Sequence, residues 1–109
     1  MGKEDKFKLT IQADAGKAVL EILTERLKRD DLDEFRAACE KLLATGQKDL
    51  LIEARGMHVI SSAFIGVLIN LGSQANDKGL HLVMDTTRGI ADILHMMVGN
   101  TLELKVADA

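Results

Sequence analysis

Two adjacent serines, Ser61 and Ser62, follow His58 by three and four positions and lead into a long uncharged stretch. A hydroxyl near an imidazole is the raw material of nucleophilic catalysis, where a base takes the serine proton and a third group orients the base. The G-x-S-x-G turn that presents such a serine is absent here, and no carboxylate stands where it would orient His58. No catalytic residue is therefore assigned. The serines have a structural use instead. At a helix start, a hydroxyl oxygen accepts a hydrogen bond from a backbone N–H that has no partner within the helix. Either serine can fill that role.

Other chemistry finds little support. His58, His81 and His95 are far apart, no H-E-x-x-H pair occurs, and Cys39 has no second cysteine, so no metal site is expected. Neither G-x-G-x-x-G nor a Walker A pattern is present, and no cofactor is expected. Asp85-Thr86-Thr87-Arg88 contains the residues to hold an anion at a helix start, but a cap beside a solvated arginine is the simpler reading. Met96 and Met97 read as core and edge filler. The charged run from Glu25 to Glu34 reads as a solvated face and loop.

The composition narrows the field further. With 109 residues, of which 47% are hydrophobic, the chain suits one domain, residues 1–109, with an aliphatic core. Three Phe, no Tyr and no Trp leave little for stacking on bases, and a net charge of −3 offers no basic patch for a phosphate backbone. Nucleic acid is not an expected partner. Cys39 lies within an apolar helical pattern and reads as a reduced core residue. The first residues are charged and lack an apolar signal core, and Lys6 breaks the myristoylation pattern, so a cytoplasmic location is expected. From Val59 to Gln74 no side chain is charged, but Ser61, Ser62, Asn70, Ser73 and Gln74 make the run too wet and too short to span a membrane.

The elements that must position these residues follow from periodicity. Phe7, Leu9 and Ile11 alternate with polar neighbours and predict a strand. After a turn at 14–17, Val19 to Leu23 predicts its hairpin partner. Asp30 or Asp31 caps a helix carrying Leu32, Phe35, Cys39, Leu42 and Leu43, and Gly46 ends it. The contiguous apolar run within Asp49–Glu53 predicts an inner strand buried on both faces. Ser61 or Ser62 opens the uncharged helix, with Ile65, Leu68 and Ile69 on its core face. Phe64, Val67 and Leu71 lie on another side. Phe64 either faces a partner beside Ser62 or tucks under a neighbouring loop. Leu80 to Met84 predicts a fourth strand. Thr86 or Thr87 caps a last helix with a stripe of Ile90, Ile93, Leu94 and Met97, which Gly99 and Asn100 end. Leu102, Leu104 and Val106 predict a final strand. The order ββαβαβαβ implies an α/β domain with a mixed sheet, opening on a hairpin and parallel thereafter.

This order, with these residues, resembles the STAS fold of anti-sigma factor antagonists over roughly Phe7 to Val106. Three segments carry the likeness: Val19-Leu20-Glu21-Ile22-Leu23 with Glu25-Arg26-Leu27; Lys48-Asp49-Leu50-Leu51-Ile52-Glu53 with the run from Val59 to Leu68; and Gly79-Leu80-His81-Leu82-Val83-Met84 with Ile90-Ala91-Asp92-Ile93-Leu94. The middle segment is the most specific. The family reads Asp-Ser-Ser-Gly-Leu-Gly there, and its second residue is phosphorylated by a partner kinase that is also an anti-sigma factor. Aligned on Gly66, Ser61 stands at the family's Asp, Ser62 at the phosphorylated residue, Ala63 at the second Ser and Phe64 at the first Gly. Glu25 and Lys28 replace a Gly and an Asp common in the loop after the second strand.

The resemblance implies a protein that binds a serine-kinase anti-sigma factor or related switch protein, without an activity of its own. It implies Ser62 as the phosphorylation site, with Ser61 as second choice, and a partner surface of Lys28, His58, Ser61, Ser62, Ala63 and Phe64. Ser61 in place of Asp and the bulk of Phe64 favour the alternative, a non-switching STAS scaffold that associates with itself as a homodimer or with related domains. A small-molecule sensor is a third reading.

Overall fold

The computed structural model describes residues 6–98 and 103–106. The chain runs β1 (Phe7–Gln12), β2 (Lys17–Ile22), α1 (Leu32–Leu43), β3 (Asp49–Ala54), α2 (Ser62–Asp77), β4 (His81–Thr86), α3 (Arg88–Val98) and β5 (Glu103–Val106). Short 3₁₀ turns at Ala13–Ala15 and Arg29–Asp31 precede β2 and α1. The five strands lie side by side in chain order. β1 and β2 are antiparallel, and every later neighbour is parallel. The expected α/β order with its opening hairpin and mixed sheet is the observed one.

The hairpin turns through Ala13–Ala15 and Gly16, whose φ of +65° is a left-handed conformation that a side chain would strain. Gly46, at φ +80°, lies beyond α1, which already ends at Leu43.

A strand sequence that steps one way across the sheet needs a crossover at each parallel connection. Crossovers of one hand place α1, α2 and α3 on the same face. Burial agrees. Ala18, Leu20, Ile22, Leu50, Ile52, Ala54, Leu82 and Met84 point one way and are buried in the core with Phe35, Cys39, Leu42, Phe64, Leu68 and Leu94. Desolvation there pushes the Cys39 thiol up to about 12, which keeps it protonated and inert. On the other face Val19 and Leu51 are only half-buried. The expectation that β3 is covered on both faces therefore fails: its contiguous apolar run fills one helical layer, and Leu51 faces an uncovered side. Two residues of that side are nonetheless buried, Val83 and Asp85, the latter beneath Arg55.

Two helices are turned differently from the expected stripes. In α2 the buried arc comprises Phe64, Ile65, Val67, Leu68, Leu71, Gly72 and Ala75, while Ile69 is half-buried. Among the described side chains of α3 the buried ones are Ile90, Ala91 and Leu94, and Ile93 is 44% exposed. The small Ala91 takes the inward position that Ile93 was expected to fill. Met96 is 88% exposed and is not core filler. Met97, Gly99, Asn100 and Leu102 belong to expectations that lie outside the described side chains. Among the described residues, no helix is long and apolar enough to cross a membrane.

Candidate functional site

β2, β3 and β4 run parallel, so the loops leaving their C-terminal ends gather at one edge of the sheet. The β2–α1 and β3–α2 loops are joined by backbone. The N–H groups of His58 and Val59 both donate to the Glu25 carbonyl, at 2.8 and 3.4 Å, and Arg26 bridges to Val59. Met57 is fully buried and anchors the second loop, and its carbonyl accepts the Thr87 hydroxyl at 3.2 Å. That hydroxyl is thus spent on the neighbouring loop, and α3 begins at Arg88 immediately after it. Thr86 belongs to β4 and is buried, so it does not cap α3. Arg55 closes the base of the loop on Asp85, at 2.9 Å from Nε and 2.8 Å through its second contact. The hydrogen-bonded Asp85 carboxylate raises the guanidinium's pKa above its ordinary value.

The loop delivers Ser61 to the N-cap of α2, at φ −97° and ψ 163°. Its carbonyl accepts the N–H groups of Phe64 and Ile65, both at 3.1 Å. Its side chain makes no capping bond, so the position is the expected one but the expected hydroxyl cap is not formed. Ser62 is the first helical residue. Ser61, Ser62 and Ala63 are all exposed. No hydrogen bond joins His58 to either serine among the described residues, so the geometry gives the pair no base.

Phe64 turns the other way. It is 1% exposed, and its ring sits 5.3 Å from that of Phe35, which in turn lies 5.7 Å from Phe7. Of the two expectations for Phe64 the buried one holds: it lies beside Leu27 and Arg29 of the β2–α1 loop and joins the core against Phe35, and it does not stand exposed beside Ser62. It offers a partner no exposed side chain, only a buried wall of the hollow at the start of α2.

Beside the start of α2 lies a hollow of about 240 Å³ lined by Leu27, Arg29, Leu32, Ser61, Ser62, Ala63 and the inner wall of Phe64. The 3₁₀ turn that carries Arg29 ends at Asp31, a buried carboxylate. Asp31 Oδ2 accepts the Lys28 N–H at 2.7 Å, and Oδ1 takes the Lys6 ammonium at 2.6 Å. The Lys6 contact, helped by the Lys28 N–H, holds the Asp31 carboxyl below its ordinary pKa against the opposing effect of burial. Asp31 therefore fixes the 3₁₀ turn that aims Leu27 and Arg29 at the serines.

Of the expected partner residues, the structure brings Ser61, Ser62 and Ala63 together on the rim of this hollow. Lys28 and His58 are exposed on the two joined loops but do not line it. Sequence reasoning missed Leu27, Arg29 and Leu32 as parts of the site. Their signal was weak, since Arg29 sits in a charged run that reads as solvated and Leu32 in an ordinary helical stripe. Among the described residues no three His, Cys, Asp or Glu side chains are gathered to hold a metal.

Neither a protein-family model nor a curated protein matches the sequence. A solved structure does match the fold. A serine-to-glutamate variant of RsbS from Moorella thermoacetica superposes with a TM-score of 0.72, at 17% identity, covering 95% of this chain and 89% of that one. RsbS is a STAS-domain anti-sigma factor antagonist. The strand order, the parallel loops converging on the start of α2 and this superposition together establish that the chain has the STAS fold.

Proposed function

We propose that this protein is an anti-sigma factor antagonist of the partner-switching kind. It binds a serine-kinase anti-sigma factor through the start of α2 and the joined loops, and phosphorylation of Ser62 releases it. The observation that carries the reading is the exposed Ser62 at the first turn of α2, on the rim of a hollow whose other wall is Leu27, Arg29 and Leu32.

The physics is consistent with a switch that spares the fold. A phosphate adds roughly −1.5 to −2 charges at neutral pH. At Ser62 that charge would meet the free N–H groups and positive end of α2, so the domain tolerates it. A partner surface fitted to an uncharged hydroxyl and an apolar hollow does not, because it must then desolvate a dianion. The chain is the kinase's substrate and carries no reaction itself. The cytoplasm, where such kinases and sigma factors act, is its proposed location.

Peptide-level mass spectrometry of the protein from its native cell tests this. Phosphate on Ser62 supports the switch, and phosphate on Ser61 moves it by one residue. A well-covered peptide without phosphate across growth and stress conditions rejects it. Ser61, standing without the carboxylate that the STAS motif carries, favours the second reading, a constitutive scaffold built from STAS domains.

A further inference from the structure

The outer edge of β1 is unpaired among the described residues, since β1 bonds to β2 alone. The Leu23 N–H donates to the Lys6 carbonyl at 2.7 Å, which makes Lys6 and Leu23 a hydrogen-bonded pair. Antiparallel pairs alternate, so Lys8, Thr10 and Gln12 also bond inward, and the N–H and C=O groups of Phe7, Leu9 and Ile11 point outward. Proteins usually blunt such an edge with charge, proline or a bulge. Here Lys8 is the only charge on the strand, and Ile11 is 51% exposed on the helix side. Next to it, between β1 and α1, a hollow of about 260 Å³ is floored by Leu9 and Leu20 and bordered by Ala37, Ala38, Glu34 and Lys41.

The geometry points to a second copy of this chain as the occupant, added antiparallel along β1 so that two sheets become one. A two-fold axis at Leu9 pairs Phe7 with Ile11 of the second copy and Lys8 with Thr10. A register centred on Lys8 would set two like charges opposite each other, and one centred on Thr10 would leave Phe7 without a strand partner. With strands about 4.8 Å apart and α1 resting over β1 and β2, the two α1 helices come to lie about 10 Å apart, an ordinary helix-packing distance. Ala37 sits near the middle of the facing side, small enough for that approach. Glu34 and Lys41 flank it by about a turn on each side. The two-fold therefore sets Glu34 of each copy against Lys41 of the other. Neither residue makes an ion pair within the chain among the described residues, and the Lys6 ammonium that also borders the hollow, in the field of Glu34, is held by Asp31. This self-complementary charge pattern selects a second copy over a foreign strand, which needs no such symmetry. The inference does not depend on Ser62.

Sedimentation equilibrium on the full chain tests it, with three variants. Ile11→Pro removes an outward N–H without touching a bond to β2. Lys41→Glu sets Glu34 against a like charge, and Glu34→Lys with Lys41→Glu restores the complement. The expected result is a concentration-dependent dimer, weakened roughly tenfold or more by Ile11→Pro and by Lys41→Glu, and recovered by the charge swap. A chain that stays monomeric overturns the inference, as does a dimer indifferent to these changes. A monomer whose Leu9 and Ile11 amides resist hydrogen exchange overturns it too, and assigns the edge to the chain's own first five residues.

Discussion

The ring of Phe64 lies 5.3 Å from that of Phe35, tilted by 49°, two residues along the chain from the exposed hydroxyl of Ser62. The first turn of α2 is thus pinned from beneath while its outer side stays free. A residue that lacks a side chain in the STAS motif has here become a core residue, and the candidate switch rests on it.

Phe64→Ala should cost about 3–5 kcal/mol of folding stability, the range for deleting a buried aromatic ring. Urea unfolding followed by circular dichroism measures this. If Phe64 were instead a surface contact, the loss would fall within about 0.5 kcal/mol, the scale of exposed substitutions.

The Lys6–Asp31 pair gives stability a defined pH dependence. The Asp31 carboxyl is held below its ordinary value, so its contribution is present above the unfolded-state pKa, about 3.9, and is lost as pH falls through the folded value. The Lys6 ammonium is held above its own, so its contribution is present below about 10.4 and is lost as pH rises through the folded value. Between those limits Asp31→Asn should lower the thermal midpoint, and the gap from the parent chain should close as the acid limb is entered. A gap that is constant from neutral to acid pH would show that the substitution acts through shape and not charge.

Much of this was readable from the residues, and the exceptions have physical causes. The alternation of Phe7, Leu9 and Ile11 and the order of elements were enough for a hairpin-led mixed sheet. The face each helix buries was not, because α2 is apolar nearly all round and α3 places Ala91 inward where Ile93 competes. Periodicity ranks residues by type, whereas packing ranks them by the space available. For the site, the position of the serines was legible from helix-start chemistry and from the STAS likeness. Leu27, Arg29 and Leu32 were not. They join the site through a backbone contact between two loops, Glu25 to His58 and Val59, which no local pattern records.

Thr86 is fully buried at the end of β4, and among the described residues its hydroxyl has no hydrogen-bond partner. An orphaned buried hydroxyl is a net cost, and valine has nearly the same shape. Thr86→Val should therefore stabilise the fold by about 1 kcal/mol. Denaturant unfolding that shows a loss instead would mean that the hydroxyl is satisfied in solution.

Ser61 poses the last question, because it holds the N-cap of α2 in extended geometry without using its hydroxyl. Aspartate at an N-cap is as good a hydrogen-bond acceptor as serine, and its charge is favoured by the helix dipole. Ser61→Asp should thus stabilise the domain by about 0.3–1 kcal/mol at low salt, and the gain should shrink as salt is added. The same carboxylate next to Ser62 would repel a phosphate placed there. Phosphorylation of Ser62 should then cost the Ser61→Asp variant more stability than it costs the parent chain, read as the difference in thermal midpoint between modified and unmodified protein. Equal costs in the two backgrounds would mean that the phosphate points away from the N-cap, and that the charge at position 61 plays no part in setting the switch.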